Sequence, residues 1–302
     1  AQGLADDLLT TVCLASQART LIAPAMNQQM YAHAAVQSNL RILKARGVEV
    51  LAPAFGFQAC GDTDQGRMVE PDEIVARLMD QSAPVLSGVR LLLTAGPTIE
   101  PLDPVRFLSN RSSGKMGYAL AEQAVNLGAI VTLITGPTSL PVPMGVEVIE
   151  VRTALEMHAE VMQHVNSCDV FIAVAAVTDY RAESISKQKI KKSDAPMVLK
   201  LQKNPDIVQA VCALERKPFV IAFAAETENV LDNARKKMHD KGADMMVANQ
   251  VGEQLVFNQD RSSVLLISSG EVKQIENQTK HHIADTILME MAENMSQNTV
   301  DL

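Results

Sequence analysis

Residues 91–117 read LLLTAGPTIEPLDPVRFLSNRSSGKMG, and this stretch decides the fold. It opens as a buried-strand run over 91–94 and breaks at Gly96-Pro97. A loop of about twenty residues follows, much longer than the few residues that usually join a strand to its helix, so function is expected there. An amphipathic helix then starts near Ser113, with Met116, Leu120, Ala124 and Leu127 on one face and Gly128 ending it. Ser112, Ser113 and Gly114 are of the kind that cap a helix and cradle an anion, which predicts a phosphate or carboxylate site.

Outward from that stretch, strands are predicted over 130–134, 146–151, 170–174, 219–223 and 245–248. Helices near 153–166, 205–215 and 227–241 separate several of them. The alternation specifies an α/β fold with a doubly wound, mostly parallel, Rossmann-like sheet, whose ligands belong at the strands' C-terminal ends. A hairpin over 263–267 and 272–275 and a helix over 279–295 complete this part, 89–302. Before it, QSAPVLSG (81–88) has linker composition. Residues 1–80 read as helix 4–14, strand 20–23, a helix ending near Arg46 with Gly47 closing it, strand 48–52, a glycine-rich flap and helix 71–79. Two strands fall short of the roughly five of a doubly wound domain, so this part reads as incomplete, partial and flavodoxin-like.

Composition narrows the function classes. A net charge of −8 argues against a general nucleic-acid binder, and the absence of Trp argues against base-stacking surfaces. No apolar run reaches the eighteen residues of a membrane span. The start, AQGLADDLL, lacks the basic flank of a signal peptide and lacks an initiating Met, so the chain reads as beginning mid-gene. The four cysteines form no CxxC pair and the six histidines no metal-ligand spacing. A reduced, cytoplasmic protein with no structural metal is expected.

Several places offer two readings each. Asn27 in PAMNQQM is a ligand-binding residue beyond a strand end or a helix N-cap. Cys60, in a glycine-containing flap, is reactive or a small buried hydrophobe. Asp179, in AAVTDYR, accepts from a base or sugar or caps a turn, and Ala175 and Ala176 permit close backbone approach. The run KQKIKK (187–192) is a solvated face or a concentrated positive loop suited to closing over a triphosphate. Asn204-Pro205 turns the chain, and Lys237 and Lys241 share a helix face, where they complement the helix dipole or meet a ligand.

PAMNQQM and ACGDTDQGRM resemble the C-terminal part of flavin-dependent phosphopantothenoylcysteine decarboxylases. The resemblance implies that Asn27 holds the substrate carboxylate and Cys60 supplies a proton. One departure is Asp64, where the family flap carries a glycine, and it is expected to restrict that loop. Because the family's flavin-cradling half has no counterpart before Ala1, the first part is expected neither to bind flavin mononucleotide (FMN) well nor to decarboxylate.

The opening stretch together with AAVTDYR, KIKK, KNPDIV and FAAET closely resembles bacterial phosphopantothenate–cysteine ligases, which are commonly fused behind that decarboxylase. The resemblance implies ligation of 4′-phosphopantothenate to cysteine through an acyl-cytidylate, using CTP with Mg²⁺, in coenzyme A biosynthesis. By residue it implies Asn110 at the intermediate with Arg106 as its companion. Ser112, Ser113 and Gly114 support the substrate end, and Lys189 serves in a mobile lid. It further implies a CTP site formed by Ala173, Val174, Ala175, Ala176, Asp179, Lys189, Pro205, Asp206, Ile207, Val208, Phe223, Lys237 and Lys241. The metal ligands stay unassigned, and a homodimer with sites near its interface is implied. Two rivals remain: a dinucleotide-dependent oxidoreductase, which lacks its GxGxxG fingerprint here, and an inactive scaffold, against which the intact lysines count.

Overall fold

The computed structural model describes all residues except 17, 58–62, 80–83, 193–196, 227–228, 251–260, 269–270 and 301–302. Cys60, the start of the helix expected from 227, and the late hairpin's turn at 269–270 lie outside the described residues. The chain forms two compact units, Ala1–Ala83 and Pro84–Leu302.

The first unit runs α1 (Leu8–Ala15), β1 (Leu21–Ile22), α2 (Gln28–Ala32), α3 (Ala34–Ala45), β2 (Glu49–Val50), β3 (Ala54–Phe57), β4 (Thr63–Arg67) and α4 (Pro71–Met79). β1 and β2 pair in parallel, as the βα order requires, and β3 and β4 form an antiparallel hairpin. Its helices bury no residue, so short polar ties carry much of its order. Asp7 and Thr10 form a capping box on α1, and Glu49 takes both Arg19 and Arg77. Burial raises the Glu49 pKa, but the two guanidinium partners outweigh it and hold the carboxyl below its ordinary value. Asp64 needs no glycine-like freedom: it lies within β4, opposite Gly56, outside the left-handed conformation that favours glycine.

The second unit runs β5 (Arg90–Ala95), β6 (Ile99–Pro101), β7 (Phe107–Ser109), α5 (Lys115–Asn126), β8 (Ile130–Thr135), β9 (Val146–Glu150), α6 (Ala154–His164), β10 (Val170–Ala173), β11 (Tyr180–Ala182) and β12 (Leu201–Lys203). It continues α7 (Ile207–Cys212), β13 (Phe219–Glu226), α8 (Val230–Lys241), β14 (Met245–Gln250), β15 (Arg261–Ile267), β16 (Val272–Thr279) and α9 (Lys280–Val300). One eight-stranded sheet has the order β9-β8-β5-β10-β13-β14-β15-β16; the first six strands are parallel, and β15 pairs antiparallel with both β14 and β16.

β5 explains why this sheet needs helices on both faces. Leu91 and Leu93 pack in the layer with α5 and α9, while Leu92 joins the opposite layer with α6, α7 and α8. All three leucines are fully buried, each contributing about 1.5–3 kcal/mol of apolar burial. Leu86, inside the composition-based linker 81–88, is buried too, and its N–H donates to Leu127 O at 2.9 Å. Residues from Pro84 onward therefore belong to the second unit.

The long loop after β5 is not irregular, because β6 and β7 form a hairpin within it. α5 starts at Lys115, two residues later than expected, and Gly114 rather than a serine occupies the N-cap, without a side-chain cap. The backbone there is left-handed (φ 76°), and a Cβ would stand 2.8 Å from Thr138 Cγ2, which leaves glycine as the fitting residue. Ser112 Oγ instead accepts the Gly114 N–H at 3.3 Å.

Gly117 lets α5 lie against the end of β5, since an added Cβ would sit 2.5 Å from Ala95 Cβ. Helix propensity alone makes Gly→Ala stabilising by about 1 kcal/mol. Gly117→Ala is expected to do the opposite, lowering the unfolding free energy by about 1–3 kcal/mol through overpacking, as read by chemical denaturation.

Candidate functional site

The strand order reverses direction between β5 and β10: from β5 the chain winds outward to β8 and β9, and from β10 outward to β13 and β14. Such a switch point opens a crevice at the C-terminal strand ends. Here its floor is fixed by backbone groups. Thr94 Oγ1 accepts the N–H groups of Val174 (3.2 Å) and Ala175 (3.3 Å), and Gly96 O accepts Ala176 N–H at 2.9 Å. The run Ala173–Ala176 is thereby held with only small side chains at three of its positions.

A buried polar network continues from that floor. Thr98 and Thr178 hydroxyls lie 3.1 Å apart, and Thr178 N–H donates to Thr98 Oγ1 at 3.0 Å. Glu100 Oε1 accepts from Thr178 Oγ1 (3.1 Å) and from Ala154 N–H (2.8 Å), the first residue of α6. Glu100 is 2% exposed, and a buried carboxylate without such donors would be costly. Asn204 extends the network: its Nδ2 donates to Thr178 O at 2.8 Å and its N–H to Asp179 O at 2.8 Å. Asn204 is more than chain punctuation, because it holds the Asp179 and Asp206 segments together. The composition around it carries no signal for that role, which depends on a contact across 26 residues.

The cleft above has a volume of about 1060 Å³. It is lined by Asn110, Ala173, Ala175, Ala176, Asp179, Pro205, Asp206, Ile207, Val208, Phe223, Lys237 and Lys241, all singled out in the sequence. Lys203 and Arg111 also line it and were not. Asn110 reaches it from the end of β7, with Nδ2 donating to Val177 O at 2.9 Å. The helical lysines are not simply placed against the α8 dipole: Lys237 pairs with the buried Glu226 at 2.6 Å, and Lys241 with Asp206 at 3.0 Å. Asp206 also caps α7 by accepting Gln209 N–H.

Val174, Arg106, Lys189, Ser112, Ser113 and Gly114 are not among the cleft-lining residues. Arg106 Nη1 donates to Ile190 O at 3.1 Å, so it contacts the lysine loop instead of the cleft. Lys189 is exposed on that loop. The free thiols include a half-buried Cys168 whose pKa burial pushes up to about 11, which makes it a poor nucleophile. Among the described residues no group of three His, Cys, Asp or Glu side chains is arranged to hold a metal, and no helix is long and apolar enough to cross a membrane. In the first unit Asn27 caps α2, accepting Gln29 N–H at 2.8 Å. Met26 N–H donates to Gly66 O at 3.0 Å, which joins the PAMNQQM segment to the flap hairpin.

Comparison with known proteins matches residues 86–295 to the DNA/pantothenate metabolism flavoprotein C-terminal domain. A "Coenzyme A biosynthesis bifunctional protein CoaBC" from Vibrio cholerae is 53% identical over 83% of this chain, and that from Escherichia coli K12 is 45% identical over 96%. The chain belongs to the CoaBC family. It spans 64% of the Vibrio cholerae protein and 73% of the Escherichia coli one. The crystal structure of a CoaBC C-terminal domain, 40% identical, covers 71% of this chain and 99% of its own, with a TM-score of 0.62. A Cab2 mutant complex with phosphopantothenate-cysteine, 15% identical, shares the fold at a TM-score of 0.60 over 76% of this chain and 94% of its own. The Flavoprotein family matches residues 1–82. That match removes the support for reading the first part as an incomplete domain, and the expectation that it neither binds FMN nor decarboxylates is dropped with it.

Thr178→Val keeps the shape of the site but takes a hydroxyl donor from the buried Glu100. It is expected to cost about 1–3 kcal/mol in unfolding free energy, measured by urea denaturation.

Proposed function

We propose that the second unit ligates 4′-phosphopantothenate to cysteine through an acyl-cytidylate made from CTP, in a cytoplasmic coenzyme A biosynthesis protein. The observation that supports this most is that residues assigned to one nucleotide by resemblance, from four separate segments, line a single cleft at the switch point. The substrate carboxylate attacks the α-phosphate of CTP and pyrophosphate leaves. The amine of cysteine then attacks the acyl carbon, and CMP leaves.

The residues divide the work. Ala173, Ala175 and Ala176 leave backbone exposed for close approach, Phe223 and Pro205 to Val208 flank the nucleotide, and Asp179 accepts from cytosine or ribose. Lys237 and Lys241 exchange their carboxylate partners for phosphate oxygens. Lys189, carried by its loop, stabilises charge on the departing pyrophosphate, and Asn110 contacts the acyl-cytidylate. Arg106 serves through the loop, and Ser112, Ser113 and Gly114 support the acid substrate at the start of α5. A Mg²⁺ ion held largely by phosphates needs only one or two protein carboxylates, and the cleft supplies Asp206. When bound it would neutralise triphosphate charge.

Purified protein with phosphopantothenate, cysteine, Mg²⁺ and CTP is expected to release pyrophosphate, with ATP a poorer nucleotide. Lys189→Gln is expected to slow release by two orders of magnitude or so without changing the melting temperature. No release with CTP overturns the reading, and a preference for ATP overturns the nucleotide assignment.

For the first unit we propose FMN-dependent decarboxylation of the ligation product, with Asn27 on the substrate carboxylate and Cys60 as proton donor. The contact between the PAMNQQM segment and the flap hairpin supports it. FMN would supply the oxidation and reduction that the reaction needs.

We also propose a homodimer through the two small hairpins of the second unit. Val105, Phe107, Tyr180, Ile185, Met197, Val198, Leu199 and Leu201 are exposed on and beside β6–β7 and β11–β12, an apolar surface of the kind that marks an interface. Val198→Asp is expected to shift the protein toward monomer in sedimentation velocity, and an unchanged dimer would move the interface elsewhere.

A further inference from the structure

Asp103 sits in the turn between β6 and β7 and is 3% exposed, yet it neither lines the cleft nor contributes to the core. Its Oδ1 accepts the N–H groups of Val105 (2.7 Å) and Arg106 (2.8 Å). Its Oδ2 accepts Ile190 N–H at 3.1 Å, from a residue 87 positions away. Arg106 completes the arrangement, with a guanidinium 3.5 Å from Asp103 Oδ2 and a bond to Ile190 O. Nearby, Ser186 N–H donates to Leu102 O at 3.0 Å. The segment that carries Lys189 is therefore pinned at 186 and at 190.

The two bonds within the turn do not require a charge, since Asn makes the same Asx turn. The second carboxylate oxygen does something more: it faces a donor and a guanidinium that both belong with the Ile190 contact. Burial raises the Asp103 pKa, but the three backbone amides and then Arg106 outweigh it, so the carboxyl stays ionised below its ordinary range. Ionisation keeps Oδ2 an acceptor throughout neutral pH.

We infer that Asp103 is a positioning residue that docks the 186–190 segment and thereby sets the place from which Lys189 acts. This rests on the reading of Lys189 as the activating lysine. Its consequence is that the lysine loop is not a freely moving lid at its entry side: Lys187, Gln188 and Lys189 are held between two anchored points.

The test uses Asp103→Asn in the full chain, which keeps the turn's acceptor and removes the charged oxygen. Amide exchange at Ile190 and across 184–192 is expected to accelerate while the β5 and β10 amides stay protected. Single-turnover pyrophosphate formation is expected to fall about tenfold or more, the scale of a displaced catalytic group, with KM for CTP changed less than about twofold. On a Lys189→Gln background, Asp103→Asn is expected to add nothing, because both changes act through one side chain. Unchanged loop exchange, or a rate loss that adds to that of Lys189→Gln, overturns the inference. If Lys189→Gln alone leaves the rate intact, the ligation reading of Lys189 fails instead. Should Asp103→Asn not fold, Arg106→Gln removes the half-exposed clamp on Ile190 O, and the same exchange measurement decides.

Discussion

The second unit depends on how its backbone is satisfied where the sheet parts. At the switch point, β5 and β10 lie side by side but their chains leave in opposite directions, which strands amides that a continuing ladder would have paired. Thr94 Oγ1 takes two of them, Gly96 O takes a third, and Pro97 bridges to Ala176. The threonine–glutamate network then ties the same junction to α6 and, through Asn204, to α7. These bonds hold the two walls of the crevice at fixed spacing, and Ala173, Ala175 and Ala176 add only methyl groups to its floor.

Much of this architecture is legible from periodicity. The parallel strands of the second unit read as short apolar runs because helices cover both faces, and glycines close helices where the backbone turns left-handed. The hairpin inside the long loop was not legible. β6 and β7 are three residues each, too short for alternation to register, and their pairing is secured by Ser109, Asp103 and Leu102 contacts that span the loop. The start of α5 was misplaced for a related reason: serine chemistry favours a side-chain cap, but close contact with Thr138 selects Gly114.

Site legibility followed a different rule. Residues on strand ends and on the 205–208 turn converge on the cleft because topology brings every strand end to one edge of the sheet. Arg106, four positions before Asn110, turns instead toward Ile190, since the intervening β7 carries the two to different places. The partners of Lys237 and Lys241 could not be read either. Helical spacing gives their shared face, but Glu226 and Asp206 arrive from separate segments.

Those two pairs have a consequence for selectivity. Each lysine is already neutralised before any ligand arrives, so an isolated anion must displace a carboxylate for little net Coulombic gain. On the function proposed above, a chain of linked phosphates would engage both lysines at once, the second contact forming at the high local concentration set by the first. On the proposed nucleotide reading the cleft would therefore select by valency, favouring polyphosphates over single phosphates.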